Sequence, residues 1–404
     1  NKDNRINFFS VESIFTHYFL FITSSALFLF FFNRGTIFNA GFPLLIGTMF
    51  FITRNRVNKN SIDILWYLCL FWIGFTWIIN DYPNKLPLII NCILTQICYM
   101  FAYWIGRCSS KNYIQEIIKK SYFPLLLVCS IGIYLYISPP SWYSARISDV
   151  ILANGKMPSD EVILELTRLK SIFLTTYTLA YFTAIVLVYN FYRILQFRQE
   201  TSIWNYLLVI ILIITSVLCS MRSPIACWIM GFFLASFYIY KFQNSFAGFK
   251  LFLFIIICLI VLILLLSNYM DLSQIEFIID KFNSVSEDNF VEKRLYLMGI
   301  KESFLGEGAG KYDIMAYYVY GMKSMPDGEY MKILAEQGYV GLLLTISVFG
   351  CGLLKALRNF RYLYMEFFLL SMLFICMIGA DPLTISDKHC FMYWLALGQV
   401  SKYK

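Results

Sequence analysis

Charge is what this sequence has least of. Asp, Glu, Lys and Arg together make up 14% of its 404 residues, about half the share found in an ordinary globular domain. Histidine is nearly missing as well. The only two, His17 and His389, fall in separate apolar stretches, so neither a metal cluster nor a Ser-His-Asp arrangement is expected. The 11 cysteines avoid the two long connections and show no close pairing, which argues against a disulfide framework, a zinc motif or a dithiol redox site. There is no Asp-x-Asp metal motif either, and no cofactor or metal is expected.

Hydrophobic residues fill the space instead, at 59% of the chain. Apolar runs long enough to cross a hydrocarbon core of about 30 Å, which takes roughly 20 helical residues, recur from one end to the other. In lipid such runs must be helices, because every backbone group has to be bonded within its own segment. The expected fold is all-α: one integral membrane domain over 1–404, a bundle of about twelve spans. They are placed near 14–32, 36–53, 62–80, 86–106, 121–139, 171–192, 203–220, 223–240, 249–269, 338–356, 362–380 and 389–401. The first run follows a polar start, Asn1 to Asn7, and is itself of spanning length, which favours a span over a cleaved signal.

A formal charge of +8 could suggest a nucleic-acid partner, but its distribution points elsewhere. Basic clusters recur in every second short connection: Arg54/Arg56/Lys59, Arg107/Lys111/Lys119/Lys120, Arg193/Arg198, Lys241/Lys250 and Lys355/Arg358/Arg361. Lys2/Arg5 and Lys402/Lys404 mark the ends. The alternate short connections carry Arg34, Lys85, Arg222 and Lys388, one apiece. By the positive-inside rule this puts both termini in the cytoplasm, with no nucleic acid involved.

The same orientation places two long connections, 140–170 and 270–337, outside, where loops of such length are usually functional or disordered. Both read as folded. Pro158-Ser159-Asp160-Glu161 resembles a helix start. Residues 289 to 305 read as a helix broken by Gly306 to Gly310, and a further helix from about Asp327 runs into the tenth span.

Charges near membrane depth are costly and are functional candidates by default. Arg222, in the tight outer turn Ser220-Met221-Arg222-Ser223-Pro224, could grip a phosphate through its planar fork or anchor the turn at the headgroups. Arg294 and Lys301 lie two turns apart on one helix face, suited to an anionic lipid-linked substrate or simply to solvent and to pairing with Glu292 and Glu302. Asp327 and Glu329, where the loop re-enters the membrane, could provide a general base, although Glu329, Lys332 and Glu336 are equally spaced for helical ion pairs. Gly306-Glu307-Gly308-Ala309-Gly310-Lys311 has the wrong glycine spacing for a phosphate loop, with Tyr312 in place of the metal-binding hydroxyl, and is expected to be a flexible turn.

From Arg294 onward a family pattern emerges. Arg294 is followed sixteen positions later by Gly310, then by Glu329-Tyr330-Met331-Lys332-Ile333-Leu334-Ala335-Glu336-Gln337-Gly338-Tyr339-Val340-Gly341. This resembles the long outer loop of O-antigen polymerases and ligases, and Cys219-Ser220-Met221-Arg222-Ser223 resembles their Thr-x-Ser-Arg turn. The resemblance implies a multi-span, GT-C-like glycosyltransferase, independent of metal, that joins undecaprenyl-diphosphate-linked oligosaccharide units at the periplasmic face. A chain-length regulator and membrane lipids are the implied partners. Arg222 and Arg294 would stabilise the diphosphate leaving group, and Asp327 or Glu329 would take the acceptor proton. Arg146, Arg168 and Lys301 are further candidates for substrate binding. Two departures stand out. The His-Asn pair usual in ligases is replaced by Asp327-Gly328-Glu329, and neither Arg146 nor Arg168 has a glycine at the matching offset in the first loop. A ligase delivering polymer to the lipid A core is the alternative within the family. A transporter or flippase is the alternative outside it, and no matching pair of Gly/Pro-broken segments supports that reading.

Overall fold

The computed structural model describes residues 12–17, 44–48, 60–145, 169, 171, 176–197, 202–219, 221–267, 303–313, 316, 320–321, 328–380, 382–383 and 389–403. Every regular element among them is helical. The helices are α1 Ser61–Ile79, α2 Lys85–Cys108, α3 Tyr113–Lys120, α4 Tyr122–Ile137, α5 Thr176–Gln196 and α6 Ile203–Leu218. They continue with α7 Arg222–Gln243, α8 Ala247–Ser267, α9 Glu329–Arg358, α10 Tyr364–Gly379 and α11 Cys390–Ser401. The expected spans from 62–80 to 389–401 each coincide with one of these; the first two fall mostly outside the described residues.

Among the described residues, five helices (α1, α2, α5, α7 and α9) are long and apolar enough to cross a membrane, or six if α3 and α4, bent by 42°, count as one span. This is a membrane helical bundle. Its outer surface says so independently: Phe71 is 67% and Ile78 80% exposed on α1, and Ile203 78% and Trp204 68% exposed on α6. Water would not tolerate so much contiguous apolar surface, whereas lipid tails cover it at no cost.

The apolar window of α5 is 94% buried against 33% for α1 and α9, so α5 runs through the middle and the other two lie outside. Helix α11 is also central. All of its 12 residues are buried, and at about 18 Å it is shorter than the hydrocarbon core, so neighbouring helices enclose it. It crosses α2 at close range because both sides lack a side chain there: a Cβ on Gly106 would lie 2.1 Å from the Leu395 carbonyl oxygen, and one on Gly398 would lie 2.0 Å from that of Tyr103. Small residues at a crossing let backbones approach in lipid, where packing replaces the hydrophobic drive between helices.

Polar networks tie the bundle at both ends. At one end Asn60 and Asp63 form a capping box on α1, the reciprocal satisfaction of two orphan amides. The Asp63 carboxylate also accepts from Tyr103 and lies 3.4 Å from Arg107. Asn60 and Lys355 both donate to the Ser401 carbonyl, at 2.7 and 3.3 Å, and Lys402 donates to that of Ser109. Arg107, Lys355 and Lys402 come from three of the basic clusters assigned to a common side, and here they meet.

At the other end α9 breaks. Gly338 has φ 69° and ψ −172°, a non-helical conformation inside the continuous run from Glu329 to Arg358. Its backbone faces that of Gly306: a Cβ on Gly338 would lie 2.4 Å from the Phe304 carbonyl oxygen, and one on Gly306 would lie 2.4 Å from that of Glu336. Gly338→Ala is expected to cost about 1–2 kcal/mol from the left-handed backbone alone, with the backbone clash on top. Gly350→Ala, where a Cβ would meet nothing within 4 Å, should be neutral or mildly stabilising through helix propensity. Thermal midpoints in detergent check the pair; equal midpoints would show that the break is not built on glycine.

Candidate functional site

A helix that stops leaves its last carbonyls without amides, and the break at Gly338 does this in the middle of α9. The 303–313 loop and α1 supply the missing donors. Glu307 N–H donates to the Ala335 carbonyl at 3.0 Å and Gly308 N–H to that of Glu336 at 2.9 Å. The Trp72 indole donates to the Gln337 carbonyl at 2.8 Å. The Glu336 carboxylate turns the other way and accepts from Tyr312 N–H at 2.9 Å. The Glu-Gln-Gly-x-x-Gly stretch therefore has a structural meaning: Glu336 holds the loop, Gly338 opens the helix, and Gly341 leaves room for the Gln337 side chain, whose Cβ a Gly341 Cβ would approach to 2.3 Å.

The loop is clamped from its second side by α1 and α2. Trp77 and the Tyr82 hydroxyl donate to the Ala309 carbonyl at 2.9 and 3.3 Å, and Ala309 N–H donates to Thr76 Oγ1 at 3.2 Å. Gly306, Gly308 and Gly310 take φ values of 77°, 113° and 82°, a region open to glycine and strained for other residues. At Gly310 a Cβ would also sit 2.9 Å from that of Cys92 on α2. The expectation of a flexible turn over 306–311 is corrected: its backbone is fixed on both sides.

Within this frame lies a charged centre. Lys332 is 2% exposed and its ammonium is 3.7 Å from the Asp313 carboxylate, itself buried, which also accepts from Asn91 Nδ2 at 2.7 Å. Glu336, 1% exposed, lies within electrostatic reach of both. Closer to the surface, Glu307 accepts from Lys311 and from the Tyr312 hydroxyl at 2.6 Å, with 29% of its side chain exposed. Burial and then the Glu307 carboxylate push the Tyr312 phenol well up, and burial followed by Glu336 does the same to Tyr82, so both remain hydrogen-bond donors. The centre thus offers a buried ion pair for rigidity and an accessible carboxylate flanked by two donors.

Of the residues singled out from sequence, Glu329 and Arg222 fall among the described residues. Glu329 opens α9 fully buried; its amide donates to the Ala380 carbonyl at 2.9 Å and its carboxylate accepts from Leu383 N–H at 2.8 Å. Arg222 opens α7, half-buried. Helices α7 and α10 run antiparallel: Cys227 Sγ is 3.5 Å from Cys376 Sγ, and Tyr364 at the far end donates to the Gly231 carbonyl. Arg222 lies about 7.5 Å along the axis from Cys227, which carries it to the level of Ala380 and Leu383. Arg222 and Glu329 therefore lie toward the same end of the bundle, the end that holds the 303–313 loop. Asp327, Arg294, Lys301, Arg146 and Arg168 lie outside the described residues, as do the helices expected near 158 and 289.

Sequence reasoning passed over Glu307, Asp313 and Asn91. Glu307 and Lys311 were visible only as part of a failed phosphate-loop pattern. A signal existed in the three alternating glycines beside a Glu and a Lys, which mark a backbone forced close to a neighbour. Neither a protein family, nor a curated protein, nor a solved structure matches the chain.

Proposed function

We propose that this chain is a glycosyltransferase that polymerises undecaprenyl-diphosphate-linked oligosaccharide repeat units, an O-antigen polymerase of a Gram-negative inner membrane. The observation that supports it is that Arg222, Glu329 and the 303–313 loop all lie toward the end of the bundle away from the meeting of basic clusters. A transferase taking a lipid-linked donor from the outer leaflet needs its cation, its carboxylate and its ordered loop at that boundary. The proposed topology has twelve spans in a GT-C-like arrangement, both termini cytoplasmic and the 303–313 end periplasmic. A chain-length regulator is the proposed partner.

In the reaction, the bond from the donor sugar's anomeric carbon to the diphosphate breaks as a bond to the acceptor hydroxyl forms. The leaving undecaprenyl diphosphate gains negative charge, which Arg222 and Arg294 stabilise through guanidinium–phosphate hydrogen bonds. The acceptor's proton passes to a carboxylate. Asp327 and Glu329 flank Gly328 in the sequence; Glu329, closed in by the Leu383 amide, positions α9, and Asp327 is the carboxylate assigned to receive the proton. Glu307, with its exposed edge, binds acceptor hydroxyls.

Deleting the gene is the test. The expected result is lipopolysaccharide capped by a single repeat unit, because a ligase can still transfer the monomer. Bare core, restored by this chain alone, would identify a ligase instead, and unchanged polymer would remove both readings.

A further inference from the structure

At the basic end of the bundle a cavity of about 410 Å³ opens between α3, the last turn of α5 and the connection from α9 to α10. Three cations from these three elements line it, Lys119, Arg193 and Arg361, and no carboxylate does among its described residues. None of the three forms an ion pair with a described acid. The arginines instead rest near aromatic rings: the Arg193 guanidinium carbon is 5.9 Å from the Phe197 ring centroid and that of Arg361 is 6.0 Å from Phe242. Tyrosines build the wall. Tyr192 stacks on Tyr364 at 4.3 Å between centroids, and Tyr238 donates to the Arg361 carbonyl at 3.0 Å, fixing the loop that carries the guanidinium.

Three like charges converging on one concavity repel each other unless an anion joins them. The positive-inside rule accounts for basic residues at this end, but not for their meeting in a cavity without an acid. The mouth of the cavity is apolar as well as charged, with Phe197 42% and Tyr362 65% exposed beside the cations. A polyanion from water would have no use for that rim, whereas a lipid's glycerol and upper acyl chain would lie against it. We propose that this cavity binds the phosphate headgroup of an acidic phospholipid, its diester oxygens held by the Arg193 and Arg361 forks and by Lys119 as a point charge. Bound lipid would join α3, α5 and the α9–α10 connection at a place where their own charges push them apart.

The test uses the full chain purified in detergent and native mass spectrometry. Phosphatidylglycerol should add as a retained one-to-one adduct, and phosphatidylcholine should not. Lys119→Gln/Arg361→Gln, which alters two exposed side chains, should bind phosphatidylglycerol about thirtyfold more weakly, at roughly fivefold per lost charge. Lys111→Gln/Lys120→Gln removes two charges from the same end outside the cavity and should bind as the parent does. Equal retention by the Lys119/Arg361 variant, an equal loss in the Lys111/Lys120 control, or equal retention of phosphatidylcholine would overturn the proposal. Displacement of phosphatidylglycerol by inorganic phosphate at matched concentration would overturn the lipid assignment in favour of a soluble phosphate.

Discussion

Arg222→Ala should reduce polymer formation by at least about 100-fold, the scale on which a donor aimed at developing transition-state charge is missed. The reason is geometric. Arg222 stands at the head of α7 with Met221 extended before it, so the side chain leaves the helix at its N-terminus, where the helix dipole also favours an anion. A planar fork there can hold two oxygens of a diphosphate at once, and a lysine can offer only a point charge. Arg222→Lys should therefore keep a small part of the activity rather than all of it, and Arg294→Ala should match Arg222→Ala. Polymer length on gels, with membrane levels of each variant measured alongside, checks the set. Full-length polymer from normally expressed Arg222→Ala would sink the clamp. Loss of the protein from the membrane would assign Arg222 to anchoring the turn.

The largest effect on stability is expected at Lys332. Its ammonium is buried 3.7 Å from Asp313 and within reach of Glu336, so Lys332→Met leaves two carboxylates facing each other out of water. Breaking one partner of a buried pair costs about 3–5 kcal/mol, which should lower the thermal midpoint in detergent sharply or prevent accumulation. Lys332→Met/Asp313→Asn should recover a good part of the loss, because the amide can still accept from Asn91 without leaving a charge. A Lys332→Met protein as stable as the parent would show that the pair is not the centre of the loop's attachment. A double variant no better than the single would place the burden on Glu336.

How much of this was legible beforehand differs by length scale. Spans declare themselves through runs of apolar residues, and α1, α2 and α4 to α11 lie where such runs predict, because lipid leaves the backbone no alternative; α3 falls in a stretch that reads as a basic connection. The helix start at Glu329 was legible from its acids and apolar turns. The tenth span is placed from 338, but the preceding helix is expected to run straight into it, because a glycine inside an apolar run reads as a tolerated helix residue; the break at Gly338 is not foreseen. The pairings at the site were beyond local pattern. Spacing on one helix face offers Lys332 to Glu329 and Glu336, yet Lys332 reaches Asp313 in the loop and Glu329 reaches Leu383 beyond α10. Contacts between segments so distant in the chain depend on which helices end up adjacent, which hydropathy does not encode.

The carbonyls released at Gly338 are covered by a loop that also bonds to α1 and α2, and this has a consequence for biosynthesis. During translation α1 and α2 enter the membrane long before residues 303–337 leave the ribosome. Thr76, Trp77 and Asn91 must then wait at that end of the bundle without their final partners, satisfied by water or headgroups. When the loop arrives it displaces that water from two helices, so the last part of the site to be synthesised locks the first parts to be inserted. A nascent chain stopped short of residue 340 would carry every helix from α1 to α8 and still have an open, hydrated upper end.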